Sequence, residues 1–178
     1  VFGGVEIGKI AFYKRNERQV KRWHVEDTEA EVKRFEDAKL TAIEQLQGLY
    51  EKAMKDVGEE NAMIFEMHQM MLEDLDYIES ITHIITGQEV NAEYAVSTTA
   101  DNFAMMFSSM DDAYMQGRAA DVRDISERVL NILSGAGQSG IDTDVPVIVA
   151  ADDLVPSETV QLDKKMVLGF ATMYGSSN

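Results

Sequence analysis

Cysteine is absent from the 178-residue chain, which excludes a disulfide framework and a thiolate metal site and agrees with a reducing compartment. No stretch approaches the ~18 consecutive apolar residues of a membrane span. A charged-then-apolar leader is missing too, and the opening at Val1-Phe2 reads as a chain trimmed at its front. Basic side chains are scarce: 16 Lys and Arg against 32 Asp and Glu leave a formal net charge of −16. Such a surface repels a phosphate backbone and sets nucleic acid aside as a partner. It attracts a basic protein and speeds that encounter at low salt. The same charge serves solubility alone, so it assigns no function by itself. Only two prolines occur, both where an element would begin: Pro146 at the first position or edge of a strand, Pro156 in the first turn of a helix.

What is present falls into two patterns. Short apolar runs bounded by turn chemistry read as buried strands at Ile10-Ala11-Phe12-Tyr13, Val147 to Ala151 and Met166 to Thr172. Pro156-Ser157-Glu158-Thr159 is a helix start in which Ser157 or Thr159 accepts from free amides. Between the ends the period becomes helical. Thr28 with Glu31 makes a capping box, apolar residues recur at spacings of three and four as far as Val57, and Gly58 supplies the stop. A second helical pattern runs from Glu59 to Thr86 and closes at Gly87; Asn91 caps a third over 92–107; a fourth covers 119–133. Arg15 to Val25 reads as a connection, and Ser134 to Gly140 as a flexible exit. The expected fold is α+β or α/β: a small α/β domain from 1–24 and 136–178, with a hairpin-type, four-helix subdomain inserted over 25–135.

The second helical pattern carries the most chemistry. If Met63 to Ile78 is one unbroken helix, its apolar residues spread over about 240°, against the ~100° one core requires. Met63, Met67, Met70 and Met71 gather on one side, and Phe65, Leu72 and Leu75 on the other. Nine of the eleven methionines lie between Met54 and Met115. Unbranched and polarizable, methionine suits a surface that must accept a partner, and equally a plastic core. Glu59, Glu60, Glu66 and Asp74 interrupt the stripe as an acidic rim would. His24 beside Trp23 reads as a surface residue, and His83 as a helix-end cation. His68 has no second histidine or cysteine at metal-ligand spacing, so no metal site is expected. Arg118 stands three residues before Asp121, the spacing of a surface pair, and offers a fork for carboxylate or phosphate.

The wording of several segments resembles the bacterial phosphotransferase-system Enzyme I family, the phosphoenolpyruvate–protein phosphotransferases. The similar segments are Gly4 to Lys9, Gly58-Glu59-Glu60, Ile64-Phe65-Glu66-Met67-His68, Met71-Leu72-Glu73-Asp74, Asp112-Ala113-Tyr114, Arg118 to Ile125, and Ala151 to Thr159 with Leu168 to Thr172. Asn61, Met67, Leu75 and Tyr77 depart from the commoner pattern.

The resemblance implies a cytoplasmic transferase. Phosphoenolpyruvate phosphorylates a histidine, which passes the group to the phosphocarrier protein HPr and so drives sugar uptake. In the family the last segment leads into Gly-Gly-x-Thr-Ser-His. Gly175-Ser176-Ser177-Asn178 stands at its start, placing the phosphohistidine two residues past Asn178, with Ser157, Thr159 and Gly175 as supports. The inserted helices are the family's docking surface for HPr, which implicates Glu59, Glu60, Met63, Glu66, His68, Met70, Met71, Asp74, Phe107, Met115 and Arg118. Phosphoenolpyruvate and Mg²⁺ belong to a C-terminal domain, which also makes the whole protein a homodimer. On this reading the isolated chain is inactive but docks HPr. The alternatives are a phosphohistidine domain of the pyruvate phosphate dikinase or phosphoenolpyruvate synthase type, and a non-enzymatic helical binding module.

Overall fold

The computed structural model describes residues 7–13, 20–135, 145–152, 154, 159 and 166–173. The chain divides into two compact units, one from Val1–Arg18 with Ser139–Asn178 and the other from Gln19–Gln138.

The first unit holds a three-stranded parallel sheet, β1 (Lys9–Tyr13), β2 (Val147–Ala151) and β3 (Val167–Thr172), in the order β1-β2-β3. All three strands were legible as short apolar runs. Val147 and Val149 are buried on one face of β2, the period of two that a pleated strand imposes. Parallel neighbours need a long crossover, and here the whole helical unit lies in the chain between β1 and β2. The register slips between Val147↔Val167 and Ile148↔Gly169, leaving Leu168 as the extra residue. A Cβ at Gly8 would lie 2.7 Å from Leu168 Cδ1, so the close approach of these two segments favours glycine.

The second unit has five helices: α1 (Thr28–Asp56), α2 (Glu59–Leu72), α3 (Leu75–Gln88), α4 (Ala92–Ser108) and α5 (Ala113–Leu133). No helix among the described residues is long and apolar enough to cross a membrane. Along α1, Phe35, Ala38, Ala42, Leu46, Leu49 and Ala53 are buried at spacings of three and four, one stripe against the core. The helix begins one residue before the expected capping box: Asp27 Oδ1 accepts from the Ala30 amide at 2.9 Å. Thr28 is already helical, while the Glu31 carboxylate is spent on Arg34 and the Ala92 amide. At its far end Gly58 takes φ 92° and donates its amide to Ala53 O, a turn that a Cβ would strain.

The expectation of one helix from Glu59 to Thr86 is corrected. The chain breaks at Glu73-Asp74, where Asp74 adopts extended backbone and its carboxylate accepts from the Tyr77 amide at 3.2 Å. Aspartate competes with the helix for backbone donors and so favours a cap. The break assigns Leu75 and Tyr77 to a separate helix, while α2 by itself stays apolar on two sides, with Phe65 and Leu72 buried and Met63 and Met70 exposed. Tyr77 turns inward, 2% exposed, whereas Leu75 turns out to solvent and leaves the apolar side assigned to it. The expected stop at Gly87 is corrected too: Gly87 is still helical, and Glu89 takes the left-handed closure at φ 51°, ψ 51°. α5 starts six residues before Ala119, because Asp112 caps it through the Met115 amide at 2.9 Å.

A polar cluster joins four segments of this unit. Arg34 on α1 forks onto Glu93 of α4, donates to Glu31 Oε1 at 2.7 Å, and caps the end of α5 through Leu133 O at 2.9 Å. Asn91 caps α4 by position only. Its side chain accepts from the Trp23 amide at 3.0 Å and donates to Glu93 at 3.0 Å and to Lys21 O at 3.2 Å. His24 pairs with Val90, so residues 21–25 lie against the helices as a bridged segment instead of a bare connection. Hydrogen bonds to Glu93 raise the already high pKa of Arg34. Burial pushes the Glu93 carboxyl up, but bonds from Arg34 and Asn91 outweigh it and hold it below its ordinary value.

Candidate functional site

The helical period sorts α2 into three lines. Ala62, Phe65, His68 and Leu72 are buried. Glu59, Met63, Glu66 and Met70 lie on the outermost line, acid and methionine alternating at steps of four, three and four. Ile64, Met67 and Met71 are half-buried at the edge between them. Met63 is 57% and Met70 68% exposed, far more than packing alone would leave to a core methionine. The methionine side predicted from the period is therefore the outward side, and Phe65 and Leu72 form the inward one.

α5 lies beside this stripe. Arg118 Nη1 is 3.6 Å from Met71 Sδ, Arg118 Nη2 donates to the Tyr114 hydroxyl, and its Cζ sits 4.8 Å from the Tyr114 ring centroid. The expected pairing with Asp121 is present but long, at 3.9 Å. Met115 is half-buried in the first turn of α5. Gln116 Nε2 donates to Met110 O at 2.8 Å, tying that turn to the end of α4. There Phe107 is half-buried, edge-on to Phe103, which in turn meets the buried Tyr77. Tyr77 bonds Ser126 at 2.8 Å, and burial pushes its hydroxyl up to about 12 against the smaller opposing effect of that bond.

Met71 and Arg118 thus share one seam, Met115 stands three residues before Arg118 on α5, and Phe107 lies near the end of α4. Glu59, Glu60, Glu66 and Asp74 are all exposed. Glu59 and Asp74 bracket α2, about 20 Å apart at 1.5 Å per residue, so they frame the stripe without forming a cluster. His68 stands apart from the other candidates: at 1% exposure it offers nothing to a partner directly. Its Nε2 is 3.2 Å from Asp121 Oδ1 and its Nδ1 3.6 Å from Asp124 Oδ2. Thr159 is helical and half-buried; Ser157 and Gly175 lie outside the described residues. Among the described residues no group of three or more His, Asp or Glu is arranged to hold a metal ion.

Tyr114, which periodicity did not single out, belongs to this surface and is exposed under Arg118. Met105 and Met106 are exposed on the last turns of α4, and Leu75 on the first turn of α3. Tyr114 lies in a segment that carries the family resemblance, whereas Met105 and Met106 are two of the nine methionines between Met54 and Met115. Nothing local pointed to Asp121 as the partner of His68, 53 residues away.

Comparison with known proteins places this architecture. The phosphoenolpyruvate–protein phosphotransferase of Bacillus subtilis is 38% identical over 175 residues, covering 97% of this chain, which spans 30% of that relative's length. A solution structure of an Enzyme I protein superimposes with TM-score 0.78 at 34% identity, covering 93% of this chain and 68% of the other. The N-terminal domain of Enzyme 1–Nitrogen, at 24% identity, TM-score 0.73 and coverage of 98% and 72%, shares the fold. A family described as "PEP-utilising enzyme, N-terminal" matches residues 1–118, about two thirds of the sequence, and to that family the chain belongs.

Proposed function

We propose that the helical unit is the docking module through which a phosphoenolpyruvate–protein phosphotransferase meets the phosphocarrier HPr. The phosphoryl group travels from phosphoenolpyruvate through a histidine to HPr and so serves sugar uptake in the cytoplasm. The observation that carries this reading is the outward line Glu59, Met63, Glu66, Met70, continued by Met71, Tyr114, Met115 and Arg118 on the adjoining seam. Apolar, deformable side chains supply contact area, and the acidic groups around them draw a basic partner in. Phe107 extends the apolar part, and Glu60 and Asp74 the acidic rim.

The chain's own histidines carry no phosphoryl group on this reading. His68 is buried between two carboxylates, a setting that repels a phosphoryl dianion. Ser157, Thr159 and Gly175 would support the family's histidine beyond Asn178. Phosphoenolpyruvate, Mg²⁺ and the homodimer contact belong to the C-terminal domain of the whole protein. Acid-labile label from phosphoenolpyruvate on His24, His68 or His83 would contradict this assignment.

Docking is tested by titrating isotope-labelled HPr with the chain at two salt concentrations. Binding should weaken as salt rises. Met71→Ala should cost roughly 1–2 kcal/mol if Met71 is a central anchor. Asp74→Asn keeps a good helix cap while removing a charge, so it should mainly slow association. Absence of any shift at millimolar protein in low salt, with the helices intact by circular dichroism, would overturn the docking role.

A further inference from the structure

We propose that His68 is a positioning residue for the outward face of the α2–α5 seam, acting on Arg118 through Asp121; the inference rests on the docking role above. His68 occupies the inward line of α2, where its neighbours are Ala62, Phe65 and Leu72. An apolar side chain would be the ordinary occupant of such a site, since an imidazole there must find polar partners. It finds one across the seam. A carboxylate only accepts, so Nε2 carries the proton and donates to Asp121 Oδ1 at 3.2 Å. The Nδ1–Asp124 separation of 3.6 Å is beyond hydrogen-bond reach.

The two oxygens of Asp121 then do different things. Oδ1 takes the imidazole proton, and Oδ2 faces Arg118 Nη1 at 3.9 Å. With its inner oxygen held, the carboxylate cannot swing freely and keeps its outer oxygen beside the guanidinium. Arg118 is a long side chain that would otherwise sample many rotamers. Here it is settled over Tyr114 and against Met71 Sδ, two side chains of the proposed contact surface. The chain of contacts crosses from the core side of α2 to α5 and returns to the edge of α2 within four residues: His68, Asp121, Arg118 and Met71. A buried group thereby fixes a half-buried one at the edge of the surface, which is how a docking face is organised before its partner arrives.

Two substitutions separate positioning from packing. The terminal amide nitrogen of glutamine can occupy the place of imidazole Nε2, whereas the shorter asparagine mimics Nδ1 and cannot reach Asp121. His68→Gln should retain the contact and bind HPr within about two-fold of wild type. His68→Asn should weaken binding about five- to ten-fold, the order expected when one charge-assisted hydrogen bond no longer orients its acceptor. The Arg118 Nε–H resonance, observed in the chain alone, should move in His68→Asn and stay near its wild-type position in His68→Gln. Equal effects of both variants, or an unmoved Arg118 resonance in folded His68→Asn, would overturn the proposal. If His68→Asn does not fold, Asp121→Asn reads the same step from the outer side, and an unmoved Arg118 resonance there overturns it equally. Should wild type fail to bind HPr while the Arg118 resonance responds as stated, the docking role falls and the link from His68 to Arg118 stands.

Discussion

Replacing Arg34 by methionine tests what holds the helical unit together. Methionine keeps much of the aliphatic stem and removes the charge and every donor. The change leaves Glu93 and Glu31, each with a side chain 12% exposed, without their counter-charge, though each keeps one neutral donor, and uncaps Leu133 O at the end of α5. Removing one partner of a buried ion pair costs about 3–5 kcal/mol. Arg34 itself is 38% exposed, so water screens part of that, and about 2–3 kcal/mol is expected. Glu93→Gln preserves shape and should cost about 1–2 kcal/mol. The double variant should fall short of the sum by about 1 kcal/mol or more, because the second change removes the charge the first left unpaired. Urea unfolding is the assay, followed by helicity and by Trp23, the one tryptophan, whose amide bonds Asn91 inside this cluster. The pH dependence has a definite sign. Since the folded state holds Glu93 below its ordinary value, its contribution is full above about pH 4.3 and fades as pH falls through the lower folded value. The gap between wild type and Glu93→Gln should therefore close in acid. A loss below about 1 kcal/mol for Arg34→Met, with an unchanged urea slope, would show the cluster to be a surface ion pair of ordinary weakness.

Further outcomes follow from single features of the fold. Tyr77→Phe should cost about 1–2 kcal/mol by leaving Ser126 without its partner, measured by urea unfolding. In wild type, Tyr77 should ionise near 12 in an ultraviolet titration, and because that is above the ordinary value, stability should decline as pH rises beyond about 10. Asp27→Ala should lower stability by about 1 kcal/mol while Thr28→Ala changes it far less, since Asp27 is the residue that caps α1. Glu89→Gly should raise the thermal midpoint by relieving the left-handed backbone at φ 51°, a gain of about 0.5–1 kcal/mol; a decrease would show that the contact between His24 and the Glu89 side chain outweighs the strain.

Local pattern was enough for the strands, the helical middle of the chain and the sidedness of α2, because period and turn chemistry are written in neighbouring residues. Val147 to Ala151 reads as a strand, and Met63 and Met70 separate from Phe65 and Leu72, whatever lies nearby. Family resemblance, carried by segments such as Arg118 to Ile125, reached further than period could. Tertiary structure decided the rest. A competing cap at Asp74 split the second helical pattern, since continuing the helix and ending it differ by little until Tyr77 finds Ser126. Whether the methionine stripe met a core or solvent depended on where α5 lies. His68 read as a surface candidate by its segment and proved buried, because its partner Asp121 comes from another helix. Arg34 and Glu93, 59 residues apart, show the same thing: a buried charge is settled by the opposite charge that folding brings to it, and no local period records that meeting.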